Sequence, residues 1–403
     1  MSVVYSGTTA RMAPSYRSLK NNLIFMAVIF SLSPLFCSFL GLNGNIVYLS
    51  LMGGALLFCL RRIRYKFIYI LFFIYVFISS LLFSLRWQEF GLIFYPVYFA
   101  VAFFISISLD KSDLIQIAKV FTLALNVILV GAIVGFVYRF LGGEALLEIK
   151  NPDGRVASLF LSTMTNWYVG SIIRPSGIFD EPGALSFITC AVCSLRTICK
   201  LDKRTTWLML AMGLITLSVA HVIYCVLFFL SSQIRLRGLL YALPVGLCIL
   251  ISAISFGEKN EFYDELDSVF LSRFEVVDGK ISGDNRSDLL TNAYNILNDH
   301  GLLWGGAASC VYNGDKCNDM FLPFGENILS PAALTGIIVS APYYMLLMYL
   351  LRVSVRRRES LHLLGFMLLL TQRPYLFSFG YSMLIVLVIS SIMIFSRREV
   401  HDD

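Results

Sequence analysis

Apolar positions in this 403-residue chain come in long, nearly uninterrupted runs, not in alternating or one-faced patterns. The runs fall at roughly 22–40, 46–60, 67–85, 91–109, 115–138, 183–201, 205–217, 219–233, 238–256, 327–351, 361–372 and 375–396. At a helical rise of ~1.5 Å per residue, ~20 such residues cross the ~30 Å of bilayer hydrocarbon. Backbone at that depth must satisfy its own polar groups, so the runs predict helices. Two places are ambiguous. The stretch 205–233 holds either two short helices or one long tilted one, and 361–372 is short for a full crossing. The first run follows Arg11, Arg17 and Lys20 and has no small-residue cleavage site after a short apolar core. It therefore reads as a span, not a removable leader.

Composition agrees with the pattern: 57% of residues are hydrophobic, only 14% are charged, and there are 33 Phe. A soluble chain of this length needs far more polar surface. Charge then sets the parity. With the N-terminus in the cytoplasm and twelve crossings, 21 of the 32 Lys and Arg lie inside and 11 outside. The basic clusters at 61–66, 196–204, 235–237 and 352–358 all fall on the cytoplasmic side, beside run ends. Treating 205–233 as one span would put two of those clusters outside, so two short helices are expected there. Of the 26 Asp and Glu, 19 fall outside, which leaves the exterior at −8 and the interior at +14. The overall charge of +6 is thus topogenic. It gives no reason to expect nucleic-acid binding, since no basic patch with interleaved aromatics lies in a soluble segment.

The expected architecture is all-α: one integral membrane domain over 1–403 with about twelve transmembrane helices. Two exterior segments, 139–182 and 256–326, are too long to be mere connectors. Seven of the nine cysteines lie in or beside the apolar runs, where Cys behaves as a small apolar residue. Cys310 and Cys317 share the second exterior segment around a turn-rich VYNGDK stretch, and a disulfide is expected there in an oxidising compartment. A zinc site is not, because no second Cys/His pair accompanies them.

Polar residues that stand out gather in the exterior segments. In the first, Arg174-Pro-Ser-Gly-Ile-Phe-Asp-Glu-Pro-Gly183 reads as a turn, with Asp180 capping the following helix and Pro182 at an early helical position. It reads equally as a rigid mount for Arg174, whose guanidinium can fork onto a phosphate or pyrophosphate. In the second, Leu289, Leu290, Ala293, Tyr294 and Leu297 sit at helical spacing. Asp284 or Asn285 is the expected N-cap and Gly301 the stop, giving an amphipathic helix over 286–299 lying on the membrane. Arg286 opens it and His300 closes it, ~20 Å apart. His300 can be a mere dipole partner, whereas Arg in a first turn is mildly disfavoured by that dipole. Trp304, in the Leu-Trp-Gly-Gly turn, suits the headgroup level. Glu326 and Asn327 stand at the exterior mouth of the tenth run. Glu326 either stays in water as a helix cap or accepts a proton from a sugar hydroxyl. His221 either marks an exterior bend between the two short helices or lines a cavity, and Arg373 is expected as a snorkelling residue in the last exterior turn.

Phosphate loops, dinucleotide fingerprints, zinc-protease and serine-hydrolase motifs are absent, and no cofactor or metal is expected. Three stretches resemble the bacterial O-antigen polymerase and ligase superfamily, the Wzy-type polymerases and the lipid A-core ligases. They are Arg174-Pro-Ser-Gly-Ile-Phe, Arg286 through His300-Gly-Leu-Leu-Trp-Gly-Gly306, and Glu326-Asn-x-Leu329 with Gly336. The layout of the whole chain is similar too. Family members often carry His where Glu326 stands and Pro where Gly301 stands, and a ligase relies on that His, so the resemblance favours a polymerase. It implies a GT-C-like glycosyltransferase that needs no nucleotide. Its substrates would be undecaprenyl-pyrophosphate-linked glycans in the inner membrane, both termini cytoplasmic, with a chain-length-regulating co-polymerase as possible partner. Arg174, Arg286, His300 and Glu326 would be its catalytic residues: the arginines on the departing pyrophosphate, Glu326 or His300 as base. The alternatives are an O-antigen ligase and a transporter of lipid-linked oligosaccharide.

Overall fold

The computed structural model describes residues 14–33, 44–60, 67–88, 90–150, 156–169, 172–232, 276–277, 280–281, 286–307, 325–356, 360–374 and 379–396. The protein is mostly helical. The described residues hold twelve α-helices: α1 (Pro14–Leu32), α2 (Gly44–Leu60), α3 (Phe67–Trp87), α4 (Phe94–Ile107), α5 (Lys111–Phe140), α6 (Pro182–Ile198), α7 (Lys203–Gly213), α8 (Val219–Ser231), α9 (Arg286–His300), α10 (Ser330–Arg356), α11 (Leu361–Gln372) and α12 (Phe379–Ser396). Eleven of them fall on the apolar runs, and α9 is the expected surface helix. The run at 238–256, and both Cys310 and Cys317, lie outside the described residues.

Three helices, α3, α5 and α10, are long and apolar enough to cross a membrane. The other apolar stretches, such as Pro96–Ile107 in α4 and Leu361–Gln372, run to 17 residues at most, so helix length does not deliver twelve full crossings. The all-α expectation also needs amending. The first exterior segment folds as β1 (Leu147–Lys150), β2 (Val156–Phe160) and β3 (Thr163–Thr165) in one antiparallel sheet, followed by the pair β4 (Tyr168–Val169) and β5 (Ile172–Ile173). A two-stranded ladder, Val276–Val277 with Lys280–Ile281, lies in the second. The strands of the first segment bond to one another and pack on the C-terminal part of α5. Its 30 residues reach ~45 Å, beyond the ~30 Å core. Gly135 marks the contact: a Cβ there would lie 2.4 Å from Thr163 Cγ2 and 2.6 Å from the Phe160 carbonyl oxygen.

The interior is built on α6 and α12, with α12 packing against α1, α4, α5 and α6. Nearly every residue of α6 from Ala184 to Arg196 is buried, including Ser186, Thr189 and Ser194. A helix buried on all sides has no lipid face, and its small residues let neighbours approach closely. Two of these hydroxyls are bonded: Thr189 donates to the Leu185 carbonyl at 2.7 Å, and Ser194 pairs with the Tyr224 hydroxyl of α8 at 2.7 Å.

Ion pairs tie the start of α1 to the start of α5, and the end of α6 to the start of α7. Asp110 caps α5, and Asp113 returns the bond in a reciprocal capping box. Lys20 Nζ donates to Asp113 Oδ2 at 2.7 Å, with both side chains fully buried, and Arg17 Nε donates to Asp113 Oδ1 at 2.9 Å. Arg196 links three helices through Thr122 at 2.7 Å, Thr206 at 3.0 Å and the Asp202 carboxylate at 2.8 Å. Arg17, Lys20 and Arg196 are therefore structural ties.

The 205–233 stretch is two helices. A 3₁₀ turn, Leu214–Thr216, and left-handed Leu217 at φ 48° separate α7 from α8. His221 is not at an exposed bend. It is fully buried, with Nε2 at 2.9 Å from the Leu210 carbonyl oxygen and Nδ1 at 3.4 Å from Cys190 Sγ. Gly213 makes the room, since a Cβ there would lie 2.4 Å from the imidazole.

Helix α10 is interrupted twice, at Gly336 (φ 72°, ψ 167°) and at Pro342. Pro342 has no N–H to give the Ile338 carbonyl four residues before it. The Tyr75 hydroxyl of α3 donates to that carbonyl instead, as a neighbouring helix must where no water is present. Tyr75→Phe is expected to destabilise the protein by about 1–2 kcal/mol. Adding Pro342→Ala, which restores the amide donor, should recover most of that loss. Thermal unfolding in detergent measures both, and a double variant as unstable as Tyr75→Phe alone would contradict the pairing.

Candidate exterior site

The Arg174–Gly183 segment is a largely buried turn held by side-chain and backbone bonds. Ser176 Oγ donates to the carbonyls of Met164 and Phe179, each at 2.8 Å, and the Gly177 amide donates to Thr163 Oγ1 at 2.9 Å. Gly177 has φ 64°, and a Cβ there would sit 2.4 Å from Ile128 on α5, so glycine is required twice over. Arg174 is held at the turn's start. Its Nε and Nη2 donate to the carbonyls of Thr216 and Leu217, both at 3.2 Å, and its guanidinium lies 5.9 Å from the Trp167 ring centroid. Arg174 thus fastens the first exterior segment to the α7–α8 turn.

The residue before α6 corrects the expected cap. Glu181, not Asp180, is at the N-cap, with φ −150° and ψ 156°, and its side chain makes no capping bond. Pro182 follows as expected. The Glu181 carboxylate pairs instead with Arg373, just past α11. Arg373 is consequently no snorkelling residue: its side chain is 19% exposed and also lies 4.0 Å from Glu326 Oε2. Burial and two acidic neighbours set it there, contrary to the interfacial default.

The mouth of α10 is built on Asn327. Its Oδ1 accepts from the amides of Leu329 at 2.8 Å and Ser330 at 3.1 Å, so Asn327 is the cap and Glu326 is not. Asn327 Nδ2 donates to the Leu289 carbonyl at 3.2 Å, which fastens the first turn of α9 to the mouth. Gly325, at φ 49°, lies against the Leu289 side chain. Glu326 is half-exposed beside this junction.

Helix α9 then runs along the start of α10, with Ala293, Ile296 and Leu297 against Ala332 and Ala333. Leu290 and Tyr294 face outward, exposed, as do Leu302 and Leu303. Gly301 ends the helix at φ 90°, as read. The Leu302–Ala307 turn enters the break at Gly336. Ile337 N–H, which would bond the Ala333 carbonyl in a regular helix, bonds the Leu302 carbonyl at 2.9 Å. The Ala333 carbonyl in turn accepts from Gly306 at 3.0 Å and Ala307 at 3.1 Å. Trp304 packs with Phe83, Trp87 and Val339, and Arg86 lies 5.7 Å from its ring centroid. The His300 ring lies over Gly306.

The four site residues expected from sequence are therefore not one cluster. Arg286 opens the α9 turn that abuts Glu326, while His300 stands at the far end of the helix. Arg174 is on the first segment. Sequence reading missed the joint between the segments, which is Glu181–Arg373 with Glu326. Its only local signal was an acid directly before Pro182. Chemically, the mouth offers a half-open carboxylate beside a fixed cation. No family model, curated protein or solved structure matches this chain.

Proposed function

We propose that this chain is a polymerase of lipid-linked oligosaccharides, of the O-antigen polymerase type. In this reading it lies in the bacterial inner membrane with about twelve crossings in a GT-C-like arrangement, and both termini are cytoplasmic. The observation that supports it best is the gathering of Glu326, Asn327 and the Arg286 turn of α9 at one mouth. The ion pairs of Arg17 and Lys20 with Asp113 join the starts of α1 and α5, at the end that charge marks as cytoplasmic.

The reaction transfers a growing glycan from undecaprenyl pyrophosphate to a hydroxyl at the non-reducing end of a new lipid-linked repeat unit. Glu326 accepts the hydroxyl proton as the new C1–O bond forms. The bond from C1 to the pyrophosphate oxygen breaks, and its electron pair leaves with the pyrophosphate. Arg286 supplies positive charge where the leaving group gains negative charge, and Arg174 holds the first segment against the α7–α8 turn. The ~20 Å between Arg286 and His300 suits a long substrate laid along α9. A ligase would use the same chemistry with lipid A-core as acceptor. The broken helix α10 favours a second reading, transport, because discontinuous helices line many transporter sites. Against it, the break is filled by the chain's own Leu302–Ala307 turn.

Glu326→Gln is expected to keep wild-type membrane levels and lower polymerisation by at least ~100-fold. The host's lipopolysaccharide gel would then show single-repeat chains in place of a ladder. Bare core with polymer retained on lipid would mark a ligase, and an unchanged ladder would remove Glu326 from the chemistry.

A further inference from the structure

We infer that Arg373 is a positioning residue for Glu326 and that Gly183 is a glycine in order to admit it; the inference rests on the polymerase reading, in which Glu326 takes the acceptor proton. The side chain of Arg373 crosses from the end of α11 to the N-terminus of α6 and is largely buried there. One nitrogen, Nη1, serves both neighbours: it pairs with Glu181 and lies 4.0 Å from Glu326 Oε2. Glu181 is committed to this task, since it sits at the N-cap and yet makes no capping bond. The cation is thus anchored on one side and presented on the other to a half-exposed carboxylate.

Gly183 shows that the guanidinium's place is built for. It is helical and absent from the positive-φ residues, so conformational freedom is not why it is glycine. Glycine within a helix is disfavoured against alanine. What a side chain would meet is Arg373: an added Cβ would lie 2.6 Å from Nη2, 2.7 Å from Cζ and 3.1 Å from Nη1. The backbone next to Glu326 is held independently, by the Asn327 cap, its bond to the Leu289 carbonyl, and Gly325 against Leu289. Arg373 adds a charged neighbour for the Glu326 side chain, 4.0 Å from Oε2. It takes no proton and touches no reacting atom. It holds the carboxylate to one side of the mouth, where proton transfer needs it.

Gly183→Ala isolates this role, because it displaces a flexible side-chain end and changes no charge. The assay uses purified protein and undecaprenyl-pyrophosphate-linked repeat units extracted from the host lacking this chain. Expected are an unfolding temperature no lower than that of Arg373→Ala, a kcat at least ~10-fold lower, and an unchanged KM. Arg373→Lys should restore part of the kcat lost in Arg373→Ala. The exchanged pair Glu181→Arg with Arg373→Glu should recover the unfolding temperature but not kcat. Wild-type kcat in Gly183→Ala, or kcat restored by the exchanged pair, would overturn the positioning role and leave only an inter-segment ion pair. If Glu326→Gln itself retains wild-type kcat, the proton-acceptor reading falls and positioning falls with it. If Glu326→Gln is inactive while Gly183→Ala is normal, positioning alone falls.

Discussion

Replacing Asp113 by alanine is expected to cost about 3–5 kcal/mol of stability, the scale for breaking a buried ion pair. Asp113 and Lys20 are both fully buried and 2.7 Å apart, and Arg17 reaches the other carboxylate oxygen at 2.9 Å. Alanine leaves an ammonium inside the bundle with no carboxylate at that position, and also removes one half of the capping box of α5. The double variant Lys20→Met with Asp113→Leu should regain most of the loss, because two apolar groups need no desolvation. Unfolding of the detergent-solubilised protein measures both, and a wild-type midpoint for Asp113→Ala would contradict the assigned pair.

The same cluster carries a pH dependence through Asp110. Partial burial pushes its carboxyl upward, but this is outweighed by bonds from the Ser112 hydroxyl and the Asp113 amide and by the charges of Arg17 and Lys20. It therefore lies below the ordinary carboxylate range. A carboxylate lowered in the folded state contributes stability above its unfolded value, ~3.9, and that contribution is lost as pH falls through the folded value. Acid unfolding should begin in this range and should be blunted in Asp110→Asn.

Gly336→Ala is expected to detach the Leu302–Ala307 turn and abolish function while leaving the rest of the bundle folded. At φ 72° and ψ 167° the residue occupies a region open essentially to glycine alone. A Cβ would also lie 2.1 Å from the Leu303 carbonyl oxygen and 2.6 Å from the Trp304 carbonyl carbon. Those are backbone atoms that cannot swing aside, so strain and overpacking add to roughly 3 kcal/mol or more. The bonds at risk are those from Ile337 to Leu302 and from Gly306 and Ala307 to Ala333. Without them α9 keeps its first-turn tie to Asn327 and its packing on Ala332 and Ala333, and the far end carrying His300 is released. Hydrogen exchange should rise sharply over 301–307, and the polymer ladder should disappear. A protected 301–307 segment in Gly336→Ala would show that the break is not what holds the turn.

Much of the fold was legible because hydrophobic runs are local. Eleven of the twelve described helices coincide with runs visible in the sequence, and Gly301 stopped α9 where a glycine stop was expected. The split of 205–233 followed from charge parity and is realised at Leu217. Misreadings occurred where a residue's partner is distant in the chain. Asp180 looked like the cap by proximity, His221 looked like a bend residue, and Arg373 looked like a snorkelling one.

The sequence by itself determined that this is a helical membrane protein, because apolar length and charge asymmetry are sums over neighbouring residues. It also singled out the two long segments between apolar runs that hold its unusual polar groups. Only the tertiary structure decided which of those groups meet. Lys20 and Asp113 are 93 positions apart, and Asn327 and Leu289 are 38. No local pattern encodes such pairings, since a buried charge is located by whatever partner the packing of whole helices brings to it. For the same reason Gly183, silent as a letter in the chain, becomes the floor beneath Arg373 once α6 and α11 are side by side.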